Sequence, residues 1–184
     1  MRVRDHVALS TAACAPLATR LGARRVAVLW AGSIFIDVDH YLWHCAHTRC
    51  VDPWRTVRYF NGADVPRRRR MRLLHSPLAV LATLVLGTRL RPLLPAALGM
   101  AAHVGIDSLH ERGLSRARAR ALARDRCVCR ACGESSREVV THLWHQPLLL
   151  PSLSPGNLVS LCRECHLRAH VRAHARPREI GSWR

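Results

Sequence analysis

The sequence predicts an α-helical amino-terminal domain followed by a small α+β module stapled by a metal ion. Three observations predict it. The first half alternates apolar runs with short polar segments, none of which alternates with strand period. Two Cys-x-x-Cys pairs, Cys129/Cys132 and Cys162/Cys165, sit near the carboxyl end. Between the two regions lies an arginine-rich connector, where the composition changes abruptly. The boundary is placed near residue 115, giving domains 1–115 and 116–184, within the range of two small domains for 184 residues.

The charge balance narrows the partners. The formal net charge is +17, and all 29 basic residues are arginine, since the sequence contains no lysine. Such a balance favours polyanions, either nucleic acid or an anionic membrane face. With 49% hydrophobic residues the chain is no disordered basic tail. Four of the eight cysteines fall in the paired motifs; Cys14, Cys45, Cys50 and Cys127 show no framework spacing. That usage suits a reducing compartment, and the expected location is the cytoplasm, or the membrane with the zinc module on its cytoplasmic side. The oligomeric state is left open.

Residues 1–23 read as a first helix rather than a signal peptide, because Asp5 and His6 interrupt its start and its apolar core is weak. The run V-A-V-L-W-A-G-S-I-F-I then leads into D-V-D-H-Y-L-W-H. On a helix Asp37, His40 and His44 share a face at spacings of three and four. A second run follows Leu74-His75-Ser76, and a third carries His103 and Asp107, again four apart. None of the runs reaches the length of a comfortable spanning helix, so short membrane helices and core helices of a bundle both remain open. Ionisable groups in apolar helices are costly unless paired or metal-bound. His6, Asp37, Asp39, His40, His75, His103 and Asp107 are therefore expected to converge, either on one or two metals or on one another as hydrogen-bonded helix ends. The polar interruption at 53–72 ends in four consecutive arginines, Arg67 to Arg70, a solvated loop or a cytoplasmic-side marker.

Beyond Gly113 the connector has helical composition, and Arg116, Arg120 and Arg124 fall on one face, a stripe suited to a phosphate backbone. The two cysteine knuckles follow. Each tight Cys-x-x-Cys turn aims two sulfurs at one point, so four thiolates suit one tetrahedral structural zinc. Between and after the knuckles lie V-V-T-H-L-W-H-Q-P, with His142 and His145, then Asn157, and then C-R-E-C-H-L-R-A-H, with His166 and His170. The two last histidines are four apart and can grip one ion from a single helix face. Imidazole is also near-neutral at pH 7, as a general base must be.

This order resembles the HNH endonuclease family in its zinc-ribbon-supported form, over about residues 124–176. The resemblance implies a ββα-metal fold with DNA as substrate and a divalent catalytic ion, magnesium, manganese or another. It makes His142 the general base and Asn157 the residue holding the base's loop, with His166 and His170 as metal ligands. One position departs from the family: the residue before the base, usually a further ligand, is Thr141. His145 is the candidate replacement, provided the strand bends before Pro147.

The first 110 residues carry a second resemblance. His6, I-D-V-D-H at 36–40, Leu74-His75-Ser76 and H-V-G-I-D at 103–107 occur in the order of the LexA-regulated, membrane-bound, metal-dependent hydrolase family. Phe35 stands where that family has a proline. The resemblance implies a multipass helical protein with its own metal site and contact with membrane lipid. The sequence thus predicts a metal-dependent HNH endonuclease, with a membrane-bound metal-dependent hydrolase carrying an accessory DNA-binding zinc module as the alternative.

Overall fold

The computed structural model describes residues 3–61, 73–135, 138–143 and 154–175. His145 and the arginine run Arg67 to Arg70 lie outside them, as does the tail beyond 175. Its helices are α1 (Val3–Cys14), α2 (Ala18–Leu21), α3 (Ala23–Phe35), α4 (Val38–Thr48), α5 (Pro53–Asn61), α6 (Pro77–Arg89), α7 (Leu94–Arg124) and α8 (Arg163–Ala175). Two short strands, β1 (Val140–Leu143) and β2 (Leu158–Leu161), precede α8. The chain divides into two compact units, Met1–Leu109 and His110–Arg184.

Local chemistry sets the helix ends in unit 1. Gly22, at φ 84, ends α2 and starts α3, a backbone conformation that favours glycine. The Ser76 hydroxyl caps α6 by accepting from the Ala79 amide at 3.2 Å, with Pro77 next to it at the first helical position. Two glycines let α3 and α7 touch backbone to backbone. A Cβ on Gly32 would fall 2.2 Å from the Ala96 carbonyl oxygen, and one on Gly99 would fall 2.1 Å from that of Leu29. Across α1 and α3, the Ser10 and Ser33 hydroxyls share a buried hydrogen bond of 2.7 Å, and Trp30 Nε1 donates to Thr11 Oγ1 at 3.0 Å. Helix α6 is apolar nearly all round, with Leu78, Leu81 and Val85 exposed. Among the described residues no helix is long and apolar enough to cross a membrane, so the multipass architecture implied by the second resemblance has no spanning helix here.

The unit boundary falls inside the continuous helix α7, after Leu109, close to the expected residue 115. Ala117 and Ala121, one turn apart on α7, are buried against Leu158 of β2, with Leu143 of β1 packed on the same cluster. The last turns of α7 therefore belong to the core of unit 2. Strands β1 and β2 pair antiparallel, with His142 opposite Val159 and Thr141 opposite Ser160. Alternation then divides the ribbon. Leu143 and Leu158 face the α7 alanines, whereas Leu161 and Val159 join Cys129, Cys162, Cys165 and Ala169 in a second small core.

Candidate metal centres

In unit 2 the four paired cysteines converge as their spacing predicts. The sulfurs of Cys129, Cys132, Cys162 and Cys165 all lie within 4.8 Å of one another. The Cys132 and Cys162 sulfurs are 3.7 Å apart, close to the edge of about 3.8 Å that zinc–sulfur bonds of about 2.3 Å give a tetrahedron. The backbone builds the first knuckle. Gly133, at φ 79, turns the chain so that its amide donates to Cys129 O at 2.9 Å, while the Cys129 amide donates to Glu134 O at 2.8 Å. The Arg130 amide donates to Ser160 O at 2.8 Å and pins the knuckle to β2. Burial alone would raise the Cys129 thiol, but surrounding backbone hydrogen bonds more than offset it and hold the group at about 6. Burial and the neighbouring sulfurs push Cys165 up to about 12. Four thiols in this geometry cannot all ionise without a cation, and a metal ion such as zinc would supply it.

Behind this support stand the three histidines. His142 extends from β1, and His166 and His170 sit one turn apart on α8. One nitrogen of each lies within 4.8 Å of the others. The Nε2 atoms of His166 and His170 are 3.2 Å apart, and the His142 ring stands nearly perpendicular to both. Asn157 ends a one-turn 3-10 helix and leads directly into β2. Thr141 belongs to the other side of β1 from His142, because neighbouring strand residues alternate. A ligand at 141 would point toward the α7 side of the ribbon, so the position that the family resemblance marks as a ligand does not serve this cluster. Three imidazoles without a carboxylate suit zinc-like ions better than magnesium, which prefers oxygen.

The arginine stripe divides in two. Arg116 and Arg120 are exposed on α7. Arg124 is engaged: Nη1 donates to Pro155 O at 2.9 Å, Nη2 to Leu158 O at 2.9 Å, and the guanidinium forms a two-pronged ion pair with Asp125. Asp125 Oδ2 also accepts from the Ser160 amide at 3.3 Å. Unlike the other two, Arg124 braces the turn holding Asn157.

In unit 1 the structure brings together all seven residues singled out from the sequence. They form three overlapping sets with ligand atoms within 4.8 Å: His6, His103 and Asp107; Asp37, His75 and His103; Asp39, His40 and His75. His44 leaves the group despite sharing the helical spacing. It is buried with its Nδ1 2.9 Å from Thr56 Oγ1, a packing role. His6 Nε2 lies 3.2 Å from Asp107 Oδ1, and the His6 ring stacks on His103 at 3.8 Å. Burial opposes ionisation of Asp39 and Asp107, but the adjacent histidines hold both carboxyls well below the usual carboxylate range. Burial likewise pushes His75 down, yet its bonds to Asp37 and Asp39 reverse this and hold it at about 9. His103, with burial dominant, is pushed down to about 4.

Two buried groups had no sequence signal. The Ser33 carbonyl, 2.6 Å from His103 Nδ1, is a backbone group and invisible in any motif. Asp5 is 1% exposed beside His6, but one more acidic residue in a first helical turn reads as an ordinary helix start.

No protein-family model, curated protein or solved structure matches the chain. The fold defines a two-unit chain, one helical and one α+β with paired cysteine knuckles, each with clusters of side chains that could hold a metal ion.

Proposed function

We propose that unit 2 is a metal-dependent endonuclease module acting on the phosphodiester bonds of DNA. The observation that carries this reading is the meeting of His142 from β1 with His166 and His170 from α8, on a four-cysteine support. In this reading His166 and His170 hold one divalent ion, which would polarise the scissile phosphate and stabilise the leaving oxygen. His142 accepts a proton from the attacking water. Asn157 and the Arg124 brace keep the strands in register beneath it. Exposed Arg116 and Arg120, with the net charge of +17, attract the DNA backbone without reading its sequence.

The test is plasmid nicking by the full chain with zinc, nickel, manganese or magnesium. His142→Ala is expected to lower the rate by about 10²- to 10⁴-fold, the usual contribution of general-base catalysis. His170→Ala is expected to weaken ion binding, with partial recovery at high metal. Loss of ion binding in His142→Ala as well would make His142 a third ligand and remove its role as base. Salt-sensitive DNA binding with no nicking in any ion would leave a DNA-binding module and overturn the endonuclease reading.

A second reading is favoured by the seven converging groups of unit 1: a metal-dependent hydrolase centre, with the zinc module as accessory. Membrane association belongs to this reading. Recovery of the full chain in the soluble phase without detergent would count against the lipid contact, and leave the metal centre to be tested by itself.

A further inference from the structure

Two of the cysteines outside the paired knuckles meet at the corner between α4 and α5. Tyr41 and Cys45 are four apart on α4 and share a face. After Thr48 the helix ends at Arg49, whose φ of 52 is left-handed. An ending of this kind turns the chain back, and commonly sets the residue after the left-handed one against a side chain in the helix's last turn. Here Cys50 follows Arg49, and Cys45 is the side chain it returns to. Tyr41 marks the return. Its hydroxyl donates to the Val51 carbonyl at 2.8 Å, so the segment just after Cys50 lies on the Cys45 face of the helix. Contact with the Cys45 thiol pushes the pKa of the same hydroxyl up, and Cys50 adds to it. Both sulfurs thus stand beside one phenol oxygen.

The corner is held on both sides of the pair. Thr48 Oγ1 accepts from the Cys50 amide at 3.3 Å and donates to the His44 carbonyl at 2.8 Å. Asp52 Oδ1 accepts from the Trp54 amide at 2.9 Å and opens α5. His44 Nδ1 and Thr56 Oγ1, 2.9 Å apart, join α4 to α5. The backbone around the thiols is therefore fixed before they react, which removes much of the entropy cost of bringing them together. Both are half-buried, open enough for a small oxidant, whereas Cys14 on α1 is buried.

We propose that Cys45 and Cys50 are a redox-active dithiol, which a low-molecular-weight disulfide such as glutathione disulfide converts to an intramolecular disulfide. The thiolate of one cysteine attacks a glutathione sulfur, forms a mixed disulfide and releases one glutathione thiolate, which takes up the proton. The other thiolate then attacks the protein sulfur of the mixed disulfide and releases the second glutathione. Two protein thiols are oxidised and one glutathione disulfide is reduced to two thiols, so the exchange balances without a further reactant. Closure of so short a loop gains little chain entropy, which makes the bond a reversible modification rather than a staple. That agrees with cysteine usage suited to a reducing compartment, where disulfides are transient and redox-sensing. The bond ties Cys50 to α4 at a corner whose other helix carries Phe60, stacked on His40 at 5.2 Å. It stands whether or not either metal centre is occupied.

The sequence supplies a direct test, because Arg49 lies between the two cysteines and trypsin cuts after arginine. The full chain, with zinc present to protect the knuckles, is equilibrated in glutathione buffers of graded ratio, alkylated at its free thiols and digested. Peptides 26–49 and 50–55 are expected to travel as one linked mass from oxidising buffer and to separate on reduction. Cys50→Ser should remove the linked mass and leave Cys45 carrying glutathione, and Cys45→Ser should do the converse. Unchanged helical circular dichroism keeps these comparisons valid, and the peptide map of the parent chain decides the matter should either variant fail to fold. Glutathione on Cys45 and Cys50 separately in the parent chain, with no linked mass at any ratio, would overturn the proposal. So would linkage of either cysteine to Cys14 or Cys127 in its place, or full alkylation of both in the most oxidising buffer.

Discussion

Units 1 and 2 each bring histidines together, but by opposite routes. In unit 2 every group lies between Cys129 and His170, and the small cores around them include the cysteines themselves. Little apolar area surrounds the site, so the ion must supply much of the free energy that orders it. In unit 1 His6 and Asp107 meet across 101 residues of sequence, and Ser33 and His103 across 70. There helix packing comes first, set by backbone contact at Gly32 and Gly99, and hydrogen bonds hold the polar groups together. The difference teaches that similar donor sets can be products of folding in one place and conditions for it in another.

The largest expected effect breaks that contrast most directly. Zinc removal, or Cys162→Ser, should unfold unit 2 while unit 1 keeps its helices. Structural zinc in small units is worth about 10–16 kcal/mol in apparent binding free energy, more than so small a core can replace. Amide exchange resolved by residue checks it: protection of β1 and β2 should vanish and that of α3 persist. Persistent β1–β2 protection after chelation would show that unit 2 is also packing-driven.

The converse variant is Gly99→Ala. Its Cβ meets a backbone oxygen rather than a flexible side-chain end, so α3 and α7 must separate. Overpacking of this kind costs about 1–3 kcal/mol, read from the urea unfolding of unit 1. The same shift should move the Ser33 carbonyl from His103 and weaken metal binding in unit 1, with the zinc of unit 2 unchanged. A variant as stable as the parent would show that the close approach carries no strain.

Arg124→Lys sharpens the account of unit 2. Lysine keeps the charge but cannot donate to Pro155 O, Leu158 O and Asp125 together. A loss of about 1–2 kcal/mol in thermal unfolding of unit 2 is expected, with nicking reduced through the displaced Asn157 turn. The bracket also has a pH signature. The Arg124 hydrogen bond holds the Asp125 carboxyl below its ordinary value, with burial opposing. The folded value lies below the unfolded one near 3.9, so the stabilisation is present in full above about pH 4 and is lost as pH falls through the folded value. The acid loss should shrink in Arg124→Lys.

The smallest effect concerns the exposed arginines. Arg116→Gln and Arg120→Gln should leave both folds unaltered and each lower the salt dependence of DNA binding by about one counterion. An unchanged slope would place the DNA on another face.

Local chemistry was readable from residue order alone. Paired knuckles need only two-residue spacing to aim sulfurs at one point, and His166 and His170 need only the helical repeat to share a face. The seven polar residues among apolar runs of unit 1 could be named for the same reason, because burying an unpaired charge is costly wherever the chain takes it. Residue spacing could not separate roles that depend on direction. Asp37 and Asp39 are two residues apart, yet Asp37 faces the Nε2 atoms of His75 and His103 while Asp39 faces the Nδ1 atoms of His40 and His75. Arg124 matches Arg116 and Arg120 in the helical stripe, but only the folded chain places backbone carbonyls within its reach. His44 has ligand spacing and lies with a threonine instead. Thr141 precedes His142 in sequence and lies across the strand from it in space. In each case the deciding partner is a backbone atom or a side chain far along the chain, and its position is set by tertiary packing rather than by any local repeat.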